Sequence, residues 1–159
     1  MEVGPDWAHR AATVERTVIA RYLRHVGGWL PGTCLGRVRW PRPFPERPSP
    51  WNYWLQAHVL DCLLDAQCRA PSTRRAALIR AVRRGIWVRN LGRWTNRYYD
   101  DIAWLGLALE RANRLAGLNS GTALQAITER LRSGWSEAAG GGIHWRTGDD
   151  YKNAPANGP

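Results

Sequence analysis

Apolar positions along the chain recur every three or four residues, the period of a helix with one buried face. In the first such stretch Trp7, Ala11, Val14, Val18, Tyr22 and Val26 form one stripe. Asp6 stands where an N-cap belongs, and Gly27-Gly28 with Pro31 supplies a stop, so the spacing predicts a helix over 6–28. Six prolines between 31 and 50 fix φ and remove backbone donors, which predicts a long loop there. Trp54, Leu55, His58, Val59, Cys62, Leu63 and Ala66 make a second stripe and predict a helix over 51–69. Pro71-Ser72 opens a third over 72–90, with Ala76, Ile79, Val82 and Ile86 inward. A fourth runs over 100–116 through Ala103, Trp104, Leu107, Ala108, Arg111 and Leu115 before Gly117 stops it. The fifth, over 120–135, carries Leu124, Ile127, Leu131 and Trp135. Gly140-Gly141-Gly142 then leads into Ile143-His144-Trp145, a loop or short extended segment.

No strand-period run of useful length interrupts this pattern. Five helices with mostly short connections predict an all-α fold of consecutive antiparallel helical hairpins, in one domain over 1–159. A bundle, a solenoid and a closed α/α toroid share that periodicity, and no residue-level repeat chooses between them.

Composition narrows the picture. No run approaches the roughly 18 apolar residues of a membrane span. The polar, charged start lacks the apolar centre of an export signal, which predicts a cytoplasmic protein, with secretion as the alternative. Cys34, Cys62 and Cys68 are odd in number and lack paired metal-ligand spacing, so free, partly buried thiols are expected and a zinc site is not. The net charge of +10 rests on 22 arginines and the single lysine, Lys152. Nine of those arginines (Arg69, Arg74, Arg75, Arg80, Arg83, Arg84, Arg89, Arg93, Arg97) lie between Ala66 and Tyr99, where no acidic residue occurs. Such a run binds a polyanion or forms the solvated face of a helix. The helical pattern favours the solvated face, with only weak, sequence-indifferent DNA binding. Ten tryptophans are the odder feature, because their rings serve as platforms for sugar C–H faces as well as core.

Three segments could carry chemistry. In Asn96-Arg97-Tyr98-Tyr99-Asp100-Asp101-Ile102-Ala103-Trp104, two adjacent carboxylates stand at a helix start. Capping free N–H groups explains such a pair on its own. A catalytic reading requires both to face one cleft, which a regular helix forbids at i and i+1 but a first turn allows. Like charge and aromatic neighbours would then raise one carboxyl's pKa, leaving a proton donor beside a nucleophile. In Trp51-Asn52-Tyr53-Trp54-Leu55-Gln56-Ala57-His58-Val59-Leu60-Asp61, helical spacing aligns Trp54, His58 and Asp61 on one face, as a polar cleft or as a structural His–Asp pair. The last stretch holds Gly140-Gly141-Gly142-Ile143-His144-Trp145, a second doublet Asp149-Asp150, and Tyr151-Lys152-Asn153-Ala154-Pro155-Ala156-Asn157-Gly158-Pro159. Turn residues suit a surface loop there, and Asp-Asp by itself does not identify a catalytic pair.

Together, in order and spacing, the three segments resemble glycoside hydrolase family 76, the endo-α-1,6-mannanases, from near Trp7 to the last residue. The resemblance implies an (α/α)6 toroid, retaining cleavage of α-1,6-linked mannan, and no metal or other cofactor. It makes Asp100 the nucleophile and Asp101 the acid/base, with Trp54, His58, Tyr99, Trp104, Trp145 and Asn153 lining the cleft. Leu55, Ile102 and Pro155 depart locally from the family pattern. A toroid of that kind has twelve helices and this chain supplies about five, so it reads as the amino-terminal part of one. Unpaired apolar helix faces then argue against activity at this length. The implied partner is a mannose-containing glycan, not a specific nucleic acid. Competing readings are a non-catalytic glycan- or nucleic-acid-binding module and an inert remnant.

Overall fold

In the computed structural model, residues 6–41 and 51–159 are described. Four long helices organise them: α2 (Tyr53–Arg69), α3 (Thr73–Arg89), α4 (Tyr99–Ala116) and α5 (Gly121–Ser133). α1 (Trp7–Tyr22) precedes them, capped by Asp6, whose carboxylate accepts the His9 amide at 2.9 Å. A 3-10 turn (Ala138–Gly140) and the short α6 (Ala154–Asn157) follow. No helix among the described residues is long and apolar enough to cross a membrane.

The helix expected over 6–28 ends at Tyr22. The chain turns instead into β1 (Leu23–Val26), antiparallel to β2 (Leu30–Gly36), which occupies the start of the stretch expected to be loop. Gly27 and Gly28, with φ of +63° and +82°, make a hairpin turn where a helix stop was expected. Fully buried Thr33 closes it, its hydroxyl accepting the Val26 amide at 3.0 Å and donating to the Leu30 carbonyl at 2.7 Å. On the far side of β2, the Gln56 amide imitates a neighbouring strand. It accepts from Gly36 N at 2.7 Å and donates to Gly36 O at 2.9 Å, which satisfies a backbone edge that burial would otherwise penalise. Pro43, Pro45, Pro48 and Pro50 lie outside the described residues.

α2 packs along α4, α3 covers the hairpin, and α5 lies on α4. The closest approach is at Gly85, where a Cβ would stand 2.1 Å from the Cys34 carbonyl oxygen, so α3 reaches β2 only through a glycine. Leu60 and Leu64 of α2, Ile79, Val82 and Ile86 of α3, and Ile102, Leu105 and Leu109 of α4 are fully buried and share one core. Truncating one such side chain to alanine costs about 2–5 kcal/mol. Cys34 is buried against that core, and Cys62 and Cys68 are exposed; all three are free thiols. Of the nine arginines in the acid-free run, all but Arg75 and Arg83 are exposed. Arg69 and Arg75 reach Glu15 at 2.9 and 2.5 Å and tie α1 to the body.

Candidate active site

The start of α4 is built by a second, short backbone pairing. Residues 97–99 run antiparallel to 145–147. Tyr99 N donates to Trp145 O at 2.9 Å, and Thr147 N donates to Arg97 O at 2.8 Å. This pairing brings the Trp145 indole to the first turn of α4, where Nε1 donates to Asp100 Oδ2 at 3.1 Å. Asp100 Oδ1 accepts the Asp101 amide at 2.9 Å, so one member of the doublet does serve a free backbone donor.

Asp101 does not. Its carboxyl turns inward, only 9% exposed, and Oδ2 accepts from Asn96 Nδ2 at 2.6 Å. The orientation of the Asn96 amide is fixed at its other end, because Oδ1 accepts the Tyr98 amide at 2.8 Å and leaves the NH2 for Asp101. Tyr53, buried at the start of α2, donates its hydroxyl to the Trp94 carbonyl at 2.5 Å. Burial, with the nearby Asp101 charge, pushes the Tyr53 phenol well above its usual range. The same desolvation dominates at Asp101. It pushes the carboxyl up to about 6, with the Asn96 hydrogen bond opposing and the Asp100 charge adding. A carboxyl that holds its proton towards neutral pH, next to a second carboxylate, can act as an acid beside a nucleophile.

Aromatic rings continue from this pair down the face that α2 and α4 share. Trp104 follows Asp100 by one helical turn, and its ring lies 5.0 Å from His58, which lies 5.8 Å from half-exposed Trp54. Below them Arg111 bridges Asp61 and Asp65, the latter at 2.5 Å. Thus Asp61, expected on the face of His58, answers an arginine, and His58 sits between indoles. The Tyr98 ring packs against Trp145 at a tilt of 59°, with centroids 5.3 Å apart.

Of the expected cleft residues, Tyr99 lies in the core and Asn153 caps a helix. Tyr99 is 4% exposed and points away from the doublet, with its ring beneath Gly134 of the α5 end, where a Cβ would come within 2.6 Å. Its place immediately before Asp100 in a helix turns it about 100° away, into the core. Asn153 is the N-cap of α6, its side-chain oxygen accepting the Ala156 amide at 3.2 Å, so its amide has a structural role. Asn96 and Tyr53 were given no role on sequence grounds; a polar residue in the turn just before an acidic helix start is the signal that could have found Asn96.

The second acidic doublet is built differently. Asp149 accepts from the Tyr151 amide at 3.2 Å and from Arg146 Nε at 2.9 Å, which hold its carboxyl below the usual range. Asp150 is exposed. Among the described residues no group of three or more His, Cys, Asp or Glu side chains is placed to hold a metal ion.

The start of α4 thus presents two adjacent carboxyls, one half-buried and one buried, beside the indoles of Trp145 and Trp104. The chain matches the family model of glycosyl hydrolase family 76 over residues 6–159 and belongs to that family. It is similar to the solved α-1,6-mannanase of Salegentibacter sp. HEL1_6, with 31% identity, a TM-score of 0.80, and coverage of 97% of this chain and 43% of that one. An inactive variant of that enzyme with two adjacent aspartates changed to asparagine, solved with α-1,6-mannotriose, is 30% identical, with TM-score 0.80 and the same coverage. The Lin0763 protein of Listeria innocua is 26% identical at TM-score 0.80, over 96% of this chain and 43% of that one. The chain therefore spans less than half the length of these solved relatives. No curated protein matches it.

Proposed function

We propose that this chain carries the catalytic carboxylate pair of a retaining α-1,6-mannan hydrolase, with Asp100 as nucleophile and Asp101 as acid/base, within an (α/α)6 toroid. The observation that carries the reading is the inequality of the pair. Asp101 is buried and pushed up to about 6, while Asp100 is half-buried and held by an indole N–H. In the first step an Asp100 oxygen attacks the anomeric carbon while Asp101 gives its proton to the glycosidic oxygen, so the leaving sugar departs as an alcohol. In the second, Asp101 takes a proton from water, whose oxygen displaces Asp100 from the anomeric carbon and restores the starting configuration. Trp54, Trp104 and Trp145 offer apolar faces for successive sugars.

Support for the substrate comes from the solved relatives: an α-1,6-mannanase, and inactive double-aspartate variants of it holding α-1,6-mannotriose and α-1,6-mannotetrose. The test is proton NMR of α-1,6-mannotetraose hydrolysis, using the chain alone and the chain extended to the length of its solved relatives. The first-formed reducing sugar is expected as the α-anomer. A β-anomer, or no hydrolysis by either protein, contradicts the proposal.

A further inference from the structure

Away from the acidic pair, the outer side of α3 faces the α4–α5 connection across a concave pocket of about 600 Å³. That volume is in the range of small-ligand sites, roughly 300–1,000 Å³. Its walls are Arg80, Arg83, Arg84, Trp87, Trp94 and the turn Ala116–Asn119, with no carboxylate among them. Arg83 forms the back. Its guanidinium lies 5.0 Å above the Trp94 ring, and its N–H groups donate to Ser120 Oγ at 3.2 Å and Asn119 O at 3.1 Å. Arg84 rests against Gly32 of β2, with Nη1 at the distance a side chain there would contest. Arg80 and Arg84 are exposed and make no ion pair with any described carboxylate, whereas Arg69, Arg75, Arg111 and Arg114 all do. Trp87 is 42% exposed on the same wall.

Unpaired guanidinium forks answer phosphate or carboxylate oxygens, and a neighbouring indole face answers the C–H side of a pyranose. We propose that this pocket is a second saccharide site, selective for a sugar bearing a phosphate or a uronate group. Arg80 and Arg84 grip the anion and Trp87 carries the ring. The acid-free run that reads in sequence as a solvated face thereby contains a built recess. A single extended wall of arginines would instead suit a nucleic acid, but Arg83 is fixed in the pocket's back and the recess is closed on one side by the α4–α5 turn.

The experiment is calorimetric titration of this chain with mannose 6-phosphate, glucuronate, neutral mannose, inorganic phosphate and a single-stranded DNA 10-mer. Mannose 6-phosphate or glucuronate is expected to bind at least about tenfold more tightly than mannose and than inorganic phosphate, and to weaken with added salt. The Arg80→Ala/Arg84→Ala pair is expected to lose about tenfold or more, and Trp87→Ala a smaller factor. Circular dichroism would confirm that these exposed substitutions leave the fold in place. Asp100→Asn should leave this binding unchanged, which separates it from the acidic pair. The proposal is overturned if neither anionic sugar binds, if inorganic phosphate binds as well as they do, if DNA binds more tightly, or if the arginine pair makes no difference.

Discussion

The chain holds two Asp-Asp doublets, Asp100-Asp101 and Asp149-Asp150, with the same composition and opposite electrostatics. Asp149 is given the Tyr151 amide and then the Arg146 cation, so its charged form is favoured and its carboxyl lies low. Asp101 is given burial and a neutral amide, so its charged form is disfavoured and its carboxyl is pushed up to about 6. Even the positive end of α4, which favours anions, does not outweigh that desolvation. Two carboxylates in sequence are therefore only a starting point; the partner and the water around each decide whether it holds a proton.

The sharpest way to break the comparison is to neutralise each member in turn. Asp100→Asn or Asp101→Asn is expected to lower turnover of α-1,6-mannan by about a thousandfold or more, the order of a lost acid or nucleophile. Asp149→Asn and Asp150→Asn should stay within about tenfold, a difference of ~1.4 kcal/mol. Steady-state rates on the chain extended to the length of its solved relatives would measure both.

Stability gives the next largest contrast. A carboxyl raised on folding contributes stability that is fully present below its unfolded value near 3.8 and is lost as pH rises through about 6. Asp101→Asn should therefore stabilise the fold at pH 7 by about 1–3 kcal/mol, since one pKa unit corresponds to about 1.4 kcal/mol. For Asp149 the sign is opposite: its depressed pKa contributes stability above the unfolded value that is lost as pH falls, so Asp149→Asn should not stabilise. Urea denaturation at pH 4 and pH 7 would compare the two variants.

Two smaller effects sharpen the roles within the first doublet. Trp145→Phe keeps an aromatic face but removes the donor to Asp100, with an expected loss of about tenfold in kcat and a smaller rise in KM. Asn96→Ala removes the hydrogen bond that opposes desolvation at Asp101. The alkaline limb of the rate profile should then move to higher pH, with a loss of about tenfold or less, an effect a purely structural role for Asn96 would not produce.

Much of this was legible in sequence because α2, α3, α4 and α5 are long, periodic and bounded by Pro, Ser or Gly. Their observed ends fall within two residues of the expected ones. The miss at 23–36 has a definite cause. Tyr22 and Val26 fit the helical stripe, and a glycine pair ends helices and turns hairpins alike. The choice was made by tertiary partners, Thr33 across the turn and Gln56 from α2, which no local pattern carries. At the site, the pairing of 97–99 with 145–147 joins segments that are remote in sequence, so the hydrogen bond from Trp145 to Asp100 was out of reach. Tyr99 was misread by adjacency, since a neighbour in sequence on a helix is not a neighbour in space.

The central claim, that Asp101 is a proton-holding carboxyl and Asp149 is not, is tested most directly by carbon-13 NMR titration of the aspartate carboxyls in this chain. The account predicts that the Asp101 carboxyl titrates near 6 and the Asp149 carboxyl below the usual aspartate range. Asp101 titrating at the ordinary aspartate value, or Asp149 titrating above it, would contradict it.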